Sequence, residues 1–183
     1  GAGPELDIYY AAFRIPDLLF VLFASTLSVY VLIPFVAKHQ EEDDMVGARR
    51  LLSQIFSLFL GCYSTLAISL FLLAPMITPV LFPGIVDQAQ LVLVLRILLL
   101  QPLFLGIFSL FGVVTQLSHR FVLYAISPLV YNLGIIVGIT LGYPQVGLAG
   151  IAFGVVFGAF LHMAIQWPLV RKSELSFGLL RRV

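Results

Sequence analysis

Residues 7–36, DIYYAAFRIPDLLFVLFASTLSVYVLIPFV, decide the fold. The first half of this stretch carries three charges, Asp7, Arg14 and Asp17, and the run from Leu18 to Ala37 carries none. At about 1.5 Å rise per residue, the uncharged run reaches roughly 30 Å as a helix, the thickness of a bilayer's hydrocarbon core. A charged segment therefore leads directly into a membrane span. At about 100° per residue, Asp7, Arg14, Asp17, Val21, Ser25 and Ser28 fall within a sector roughly 80° wide. An ionisable group at membrane depth is expensive and normally faces a bundle interior or a watery cavity; at headgroup level the same group simply snorkels. Pro16 leaves two helical readings open, a kink inside a longer helix or a helix that starts there.

Outward from that stretch, the chain keeps the same character. Of its 183 residues, 61% are hydrophobic and 10% charged, with mean hydropathy +1.08. A soluble domain carries about 25% charged residues. This chain has too few polar groups to cover a water-facing surface, so it reads as an all-α integral membrane protein. The net charge of +1 and the absence of a basic cluster give no footprint for nucleic acid. The single Cys62 excludes an internal disulfide. Residues 1–13 lack the basic, apolar and small-residue succession of a signal peptide. The start at Gly1 and the end just after a basic turn predict a piece of a longer protein.

Five spans follow, at about 16–37, 53–77, 91–117, 121–141 and 147–169, forming one helical lobe over residues 1–170. Residues 78–84, TPVLFPG, read as a re-entrant or interfacial turn. The other turns, at Leu117–Arg120 and Gly142–Gln145, are short enough to make successive helices antiparallel neighbours. Only KHQEEDDMVGARR, residues 38–50, is long and charged. There Asp43 and Asp44 precede MVGARRLLSQ, which predicts acid at the start of a short surface helix leading into the second span. The four consecutive acids, Glu41–Asp44, read as solvated loop rather than a metal site. Lys38, Arg49, Arg50, Arg120, Arg171, Lys172, Arg181 and Arg182 all fall to one side of this topology. That side is cytoplasmic by the positive-inside rule, with the start of the chain outside. A start outside requires an earlier span, so a helix upstream of Gly1 is expected. Residues 171–183, RKSELSFGLLRRV, read as a cytoplasmic interfacial linker.

Small residues line the spans. Gly134, Gly138 and Gly142 recur every four residues in the fourth, and Gly150, Gly154 and Gly158 do so in the fifth. Such rows let membrane helices approach closely, or slide. Asn132 and His162 are buried polar side chains by position, suited to interhelical hydrogen bonds or to a cavity lining. Arg96 lies about five residues inside its span, placed to snorkel or to bind an anion. Pro102, Pro128 and Pro168 supply bends. No zinc-protease, nucleophile-elbow or phosphate-loop motif is present, and neither an enzyme activity, a metal nor a cofactor is expected.

GAGPELDIYYAAFRIPDLL with its following IPFV resembles the lipid II flippases of the MurJ (MviN) family. That family belongs to the multidrug/oligosaccharidyl-lipid/polysaccharide (MOP) exporter superfamily. Further blocks match in order: ARRLLSQ, LAPMITPVLFPG, LRILLLQPLFLGIFSLFGVVTQ, RFVLYAISPLVYNLGIIVG and GLAGIAFGVVFGAFLHMAIQWPLV. The resemblance implies a partial amino-terminal lobe, helices two to six of a fourteen-helix transporter. It implies a lipid-linked anionic substrate of the undecaprenyl-pyrophosphate type, membrane lipids as surroundings, and a second lobe in the same chain. It places the protein in the bacterial cytoplasmic membrane. The family's aspartate matches Asp7 and its basic residue before L/I-P matches Arg14. Where the family often has basic residues and then Ala-Glu-Gly, this chain has Phe20-Val21 and Ala24-Ser25-Thr26.

The reading is therefore a lipid II flippase that works by alternating access, with Asp7 and Arg14 contributing to substrate binding and Arg96 and Asn132 as further candidates. The rival readings are another MOP-type exporter or drug/cation antiporter, and a membrane packing module that transports nothing. An antiporter calls for an acid deep in a span, and spans two to five contain none.

Overall fold

The computed structural model describes residues 3–27 and 29–179, and every regular element among them is a helix. The helices are α1 (Pro4–Thr26), α2 (Val29–Glu41), α3 (Met45–Leu81), α4 (Gln88–Leu98), α5 (Gln101–Leu117), α6 (Phe121–Val137), α7 (Tyr143–Val146), α8 (Leu148–Ala164) and α9 (Trp167–Lys172). A π-helical turn, Gly138–Gly142, joins α6 to α7. Four rods are long and apolar enough to cross a membrane: Met45–Leu81, Gln88–Leu117, Phe121–Val146 and Leu148–Lys172. The fifth expected rod is the divided pair α1 and α2.

Local sequence explains the element ends. Asp44 caps α3 by accepting from the Gly47 amide at 2.8 Å, and Asp87 caps α4 by accepting from the Gln90 amide at 2.9 Å. Proline directs two bends. Pro102 and Pro168 each sit in the first turn of a resumed helix, so α4 gives way to α5 at Leu99–Leu100 and α8 to α9 at Ile165–Gln166. Pro144 has no amide to offer Thr140, and the backbone accommodates this by a register shift: the Tyr143 amide reaches back five residues to the Gly138 carbonyl.

Several boundaries differ from the sequence reading. The first span is broken near Leu27, in the Ser25-Thr26-Leu27-Ser28 stretch, and α1 runs unbroken through Pro16. Hydroxyl-bearing residues favour caps and turns over helix interiors, and three of them lie in these four positions. The surface helix expected before the second span is simply the start of α3. The helix also continues through Pro75 and Pro79 instead of turning at residue 78. At 37 residues α3 is roughly 55 Å long, so its ends outreach the hydrocarbon core. The fourth rod likewise continues through Tyr143-Pro144 and turns at Gly147, whose φ of 60° suits glycine.

Two apolar clusters hold the bundle. One joins the start of α1 to α4 and α8 through Ile8, Ala12, Leu91, Leu95, Ala152 and Val155. The other joins the end of α1, α2, α3 and α5 through Leu19, Leu32, Leu52, Phe59, Phe111 and Val114. Residues 173–179 fold back on this second cluster. Leu175 is buried there, and the Phe177 ring packs 5.5 Å from Phe56 and 5.9 Å from Phe111 between centroids. Residues 180–183 of the expected linker lie outside the described residues.

The tightest packing is the antiparallel contact of α6 and α8, where the two glycine rows meet face to face. A Cβ on Gly138 would stand 2.7 Å from the Gly154 Cα, and one on Gly142 would stand 2.8 Å from the Gly150 carbonyl oxygen. Gly134 faces the Gly158 backbone in the same way. Close approach of backbones replaces the hydrophobic drive that lipid cannot supply. Gly154→Ala should therefore lower the thermal stability of the purified protein, by about 1–3 kcal/mol for an overpacked contact. Gly61, in α3, has open space around its Cβ position. Gly61→Ala should be neutral or stabilising by up to about 1 kcal/mol from helix propensity. Equal melting shifts for the two variants would refute the close-packed seam.

Candidate functional site

α1 has two unlike faces. Ile8, Ala11, Ala12, Pro16 and Leu19 are buried, and α4 and α5 are the neighbours they pack against. Asp7, Arg14, Asp17 and Val21 lie exposed on the other face. Of the serines that continue this row, Ser25 is described only as helical backbone and Ser28 lies outside the described residues. The charged row therefore forms a seam that the lobe itself leaves open.

Asp7 and Arg14 line one hollow of about 700 Å³, together with Tyr10, Ala11 and the turn residues Phe82, Gly84 and Ile85. Two helical turns separate the acid from the base, about 10 Å along the axis, and the two form no ion pair. The opposite wall is pinned by Gln88, whose side-chain amide donates to the carbonyls of Phe82 and Ile85, each at 2.9 Å. The start of α1 is pinned by the Tyr143 hydroxyl, which donates to the Glu5 carboxylate at 2.5 Å. A guanidinium in such a hollow presents a planar fork that suits phosphate oxygens. The carboxylate suits a hydroxyl or ammonium donor.

The other two candidates lie elsewhere. Arg96 lines a separate groove against α3 and shares no lining residue with the first hollow. Its Nε donates to the Phe71 carbonyl at 2.9 Å, and its guanidinium stands 4.6 Å from the Phe71 ring centroid. Asn132 is exposed, contrary to the burial expected for it. The reason is angular: α6 and the π-helical turn after it pack by the Gly134–Gly138–Gly142 stripe, and Asn132 lies about 200° around the helix from Gly134. His162 is buried as expected, with its ring 3.6 Å from that of Phe108 between centroids.

Two features escaped the sequence reading. The Tyr63 hydroxyl donates to the Leu99 carbonyl at the α4–α5 break. The α5–α6–α8 interior also holds polar pairs: Thr115 donates to Gln166 at 2.7 Å, and Gln101 donates to the Tyr131 hydroxyl at 3.2 Å. Helical spacing puts Gln166 on the Gly150–Gly154–Gly158 row and Tyr131 near the Gly134 row, but it does not identify their partners in α5. A further hollow of about 630 Å³ opens between α2 and α3, walled by Leu22, Phe23, Val31, Phe35, Leu51, Ile55 and Cys62 among others. Its walls suit hydrocarbon and hold no charge. Among the described residues, no group of three or more His, Cys, Asp or Glu could hold a metal ion.

A family model described as Lipid II flippase MurJ matches residues 1–182. A Rhizobium tropici protein named probable lipid II flippase MurJ is 28% identical over 189 residues, which cover 98% of this chain and 36% of that protein. A relative of the same name from Rhizobium meliloti is 27% identical, covering 99% of this chain and 36% of its own length. One from Haemophilus influenzae is 23% identical, with 96% and 37% covered. The chain thus spans little more than a third of the length of these curated relatives.

The open seam has a direct consequence for labelling. In a Cys62→Ala background, Asp7→Cys and Arg14→Cys should react with a membrane-impermeant maleimide, and Ala12→Cys, on the buried face, should not. Protection of position 14 to the level of position 12 would show the hollow to be filled rather than wet.

Proposed function

Because the chain belongs to the lipid II flippase MurJ family, we propose that it forms one lobe of an alternating-access flippase for a lipid-linked anionic precursor. In this reading the substrate is lipid II or a close relative, and its pyrophosphate passes the hollow that holds Arg14 and Asp7. The observation that carries it is the placement of both residues in one hollow on the face of α1 that the lobe leaves uncovered. A phosphate oxygen accepts from the Arg14 guanidinium, and Asp7 accepts from hydroxyl or amide groups of the attached sugar and peptide. Arg14 is a single cation against a pyrophosphate. Further cations must then come from outside these 183 residues, since Phe20 and Val21 occupy the positions where the family often carries them.

Sidedness follows the same reading. Lys38, Arg49, Arg50, Arg120, Arg171 and Lys172 gather at the α2–α3, α5–α6 and α9 end, which we assign to the cytoplasm. The Asp7 end then faces outward, so the hollow is the outer part of the path. Asp7 and Arg14 belong to this site. Asn132 enters it only if a second lobe closes over the exposed side of α6.

The test uses the full-length protein in cells depleted of their own flippase. Arg14→Ala should impair complementation with the protein still present in the membrane at the wild-type level. Loss of one charge-assisted contact corresponds to roughly tenfold or more in transport. Arg14→Lys should fall between the two, because it keeps the charge and loses the fork. Normal growth with both Asp7→Ala and Arg14→Ala would leave only a packing role for the seam.

A further inference from the structure

Arg96 is a cation inside a membrane rod without an acid beside it. It follows the Asp87 cap of α4 by nine residues, about 13 Å along the helix axis. Its side chain does not simply extend toward water. It turns to α3, where Nε donates to the Phe71 carbonyl at 2.9 Å. That carbonyl is available because Pro75, four residues on, has no N–H to give it. One of the five guanidinium N–H donors is thus used, and no carboxylate lies within 4 Å among the described residues.

The surrounding groove, about 270 Å³, is walled by Tyr63, Ala67, Ile68, Leu99, Leu100 and Leu103. Ile68 and Leu100 are exposed, and only 11% of the most apolar stretch of α3 is buried, so the groove opens on an apolar outer surface of these helices. The Phe71 carbonyl and ring offset part of the cost of the guanidinium, but without a counter-charge it remains expensive in an apolar setting. The ligand that matches is an anion carrying its own apolar body.

We propose that this groove is a binding site for an anionic phospholipid, with its phosphate on the free Nη groups of Arg96 and one acyl chain along Tyr63, Ala67 and Leu103. The shape disfavours the proposed cargo: the groove is too small and too apolar for a sugar–peptide headgroup. The site shares no lining residue with the Asp7–Arg14 hollow, so it stands or falls apart from the flippase reading.

The experiment measures lipid binding to the purified full-length protein by native mass spectrometry and thermal shift. The probes are dioleoyl phosphatidylglycerol, dioleoyl phosphatidylcholine and undecaprenyl pyrophosphate. The wild type should prefer the anionic phospholipid over the zwitterionic one by roughly fivefold, the weight of one arginine near anionic lipid. Arg96→Gln should abolish the preference. That variant also leaves the Phe71 carbonyl without a donor, so Pro75→Ala, which restores an amide at position 75, is combined with it. The double variant should melt like the wild type and show no preference, and Pro75→Ala alone should keep it. Equal binding of the two phospholipids by the wild type, or a preference that survives Arg96→Gln, overturns the proposal. Binding of undecaprenyl pyrophosphate without a phosphatidylglycerol preference also overturns it and gives Arg96 to the cargo path.

Discussion

The carbonyl of Phe71 loses its helical donor to Pro75, and the Arg96 side chain supplies one in its place. This contact represents the constraint under which the whole chain is built. In hydrocarbon every backbone polar group must find a partner within the protein, so a proline in a membrane helix needs a neighbour to compensate it. The chain meets that need in different ways. Arg96 ties α4 to α3 at Pro75. At the α4–α5 break, where the helical ladder is interrupted, the Tyr63 hydroxyl of α3 serves the Leu99 carbonyl. The π-helical turn before Pro144 shifts the hydrogen-bond register and needs no second helix. The Arg96 bridge is also a tertiary contact, so the proline at position 75 helps determine how α3 and α4 meet.

The lobe divides by how its helices are held. α6 and α8 touch backbone to backbone along their glycines. Polar pairs tie α5 to this unit: Gln101 to Tyr131 of α6, and Thr115 to Gln166 just past the end of α8. α1, α2 and α3 are joined mainly by side-chain packing, with Phe23, Phe59 and Tyr63 meeting edge-on. Hollows of about 630 and 700 Å³ open beside these three helices. Under the proposed reading, a glycine-packed part beside a hollowed part suits a lobe that moves as a body and carries a passage along one flank.

Much of this was legible in the sequence because it rests on periodicity. The charged row of α1, the facing glycine rows and the aspartate before α3 each follow from residue spacing along a helix. What escaped depends on partners that spacing does not encode. The break after Thr26 lies in a Ser/Thr stretch inside an otherwise apolar run, and hydropathy alone reads through it. α3 continues past Pro75 because an arginine 21 residues further on rescues the freed carbonyl. Asn132 was assigned to the interior from its apolar neighbours, although the packing stripe of its helix is set by glycines half a turn away. In the sequence Arg96 looks equivalent to Asp7 and Arg14, because all are ionisable groups in or near spans; the fold puts it on another surface.

That separation bears on how charge is handled across the lobe. A cation facing water in a hollow is inexpensive and free to exchange partners, which suits a transient substrate contact. A cation anchored to a backbone carbonyl in hydrocarbon is fixed in place, which suits a lasting lipid or structural contact. Under the proposed readings Arg14, exposed on an open hollow, fits the first case and Arg96, tied to the Phe71 carbonyl, the second, although composition alone would treat them as equivalent. The flippase reading therefore rests on the seam of α1. Under that reading, counter-charge for a pyrophosphate beyond Arg14 would come from residues facing this seam.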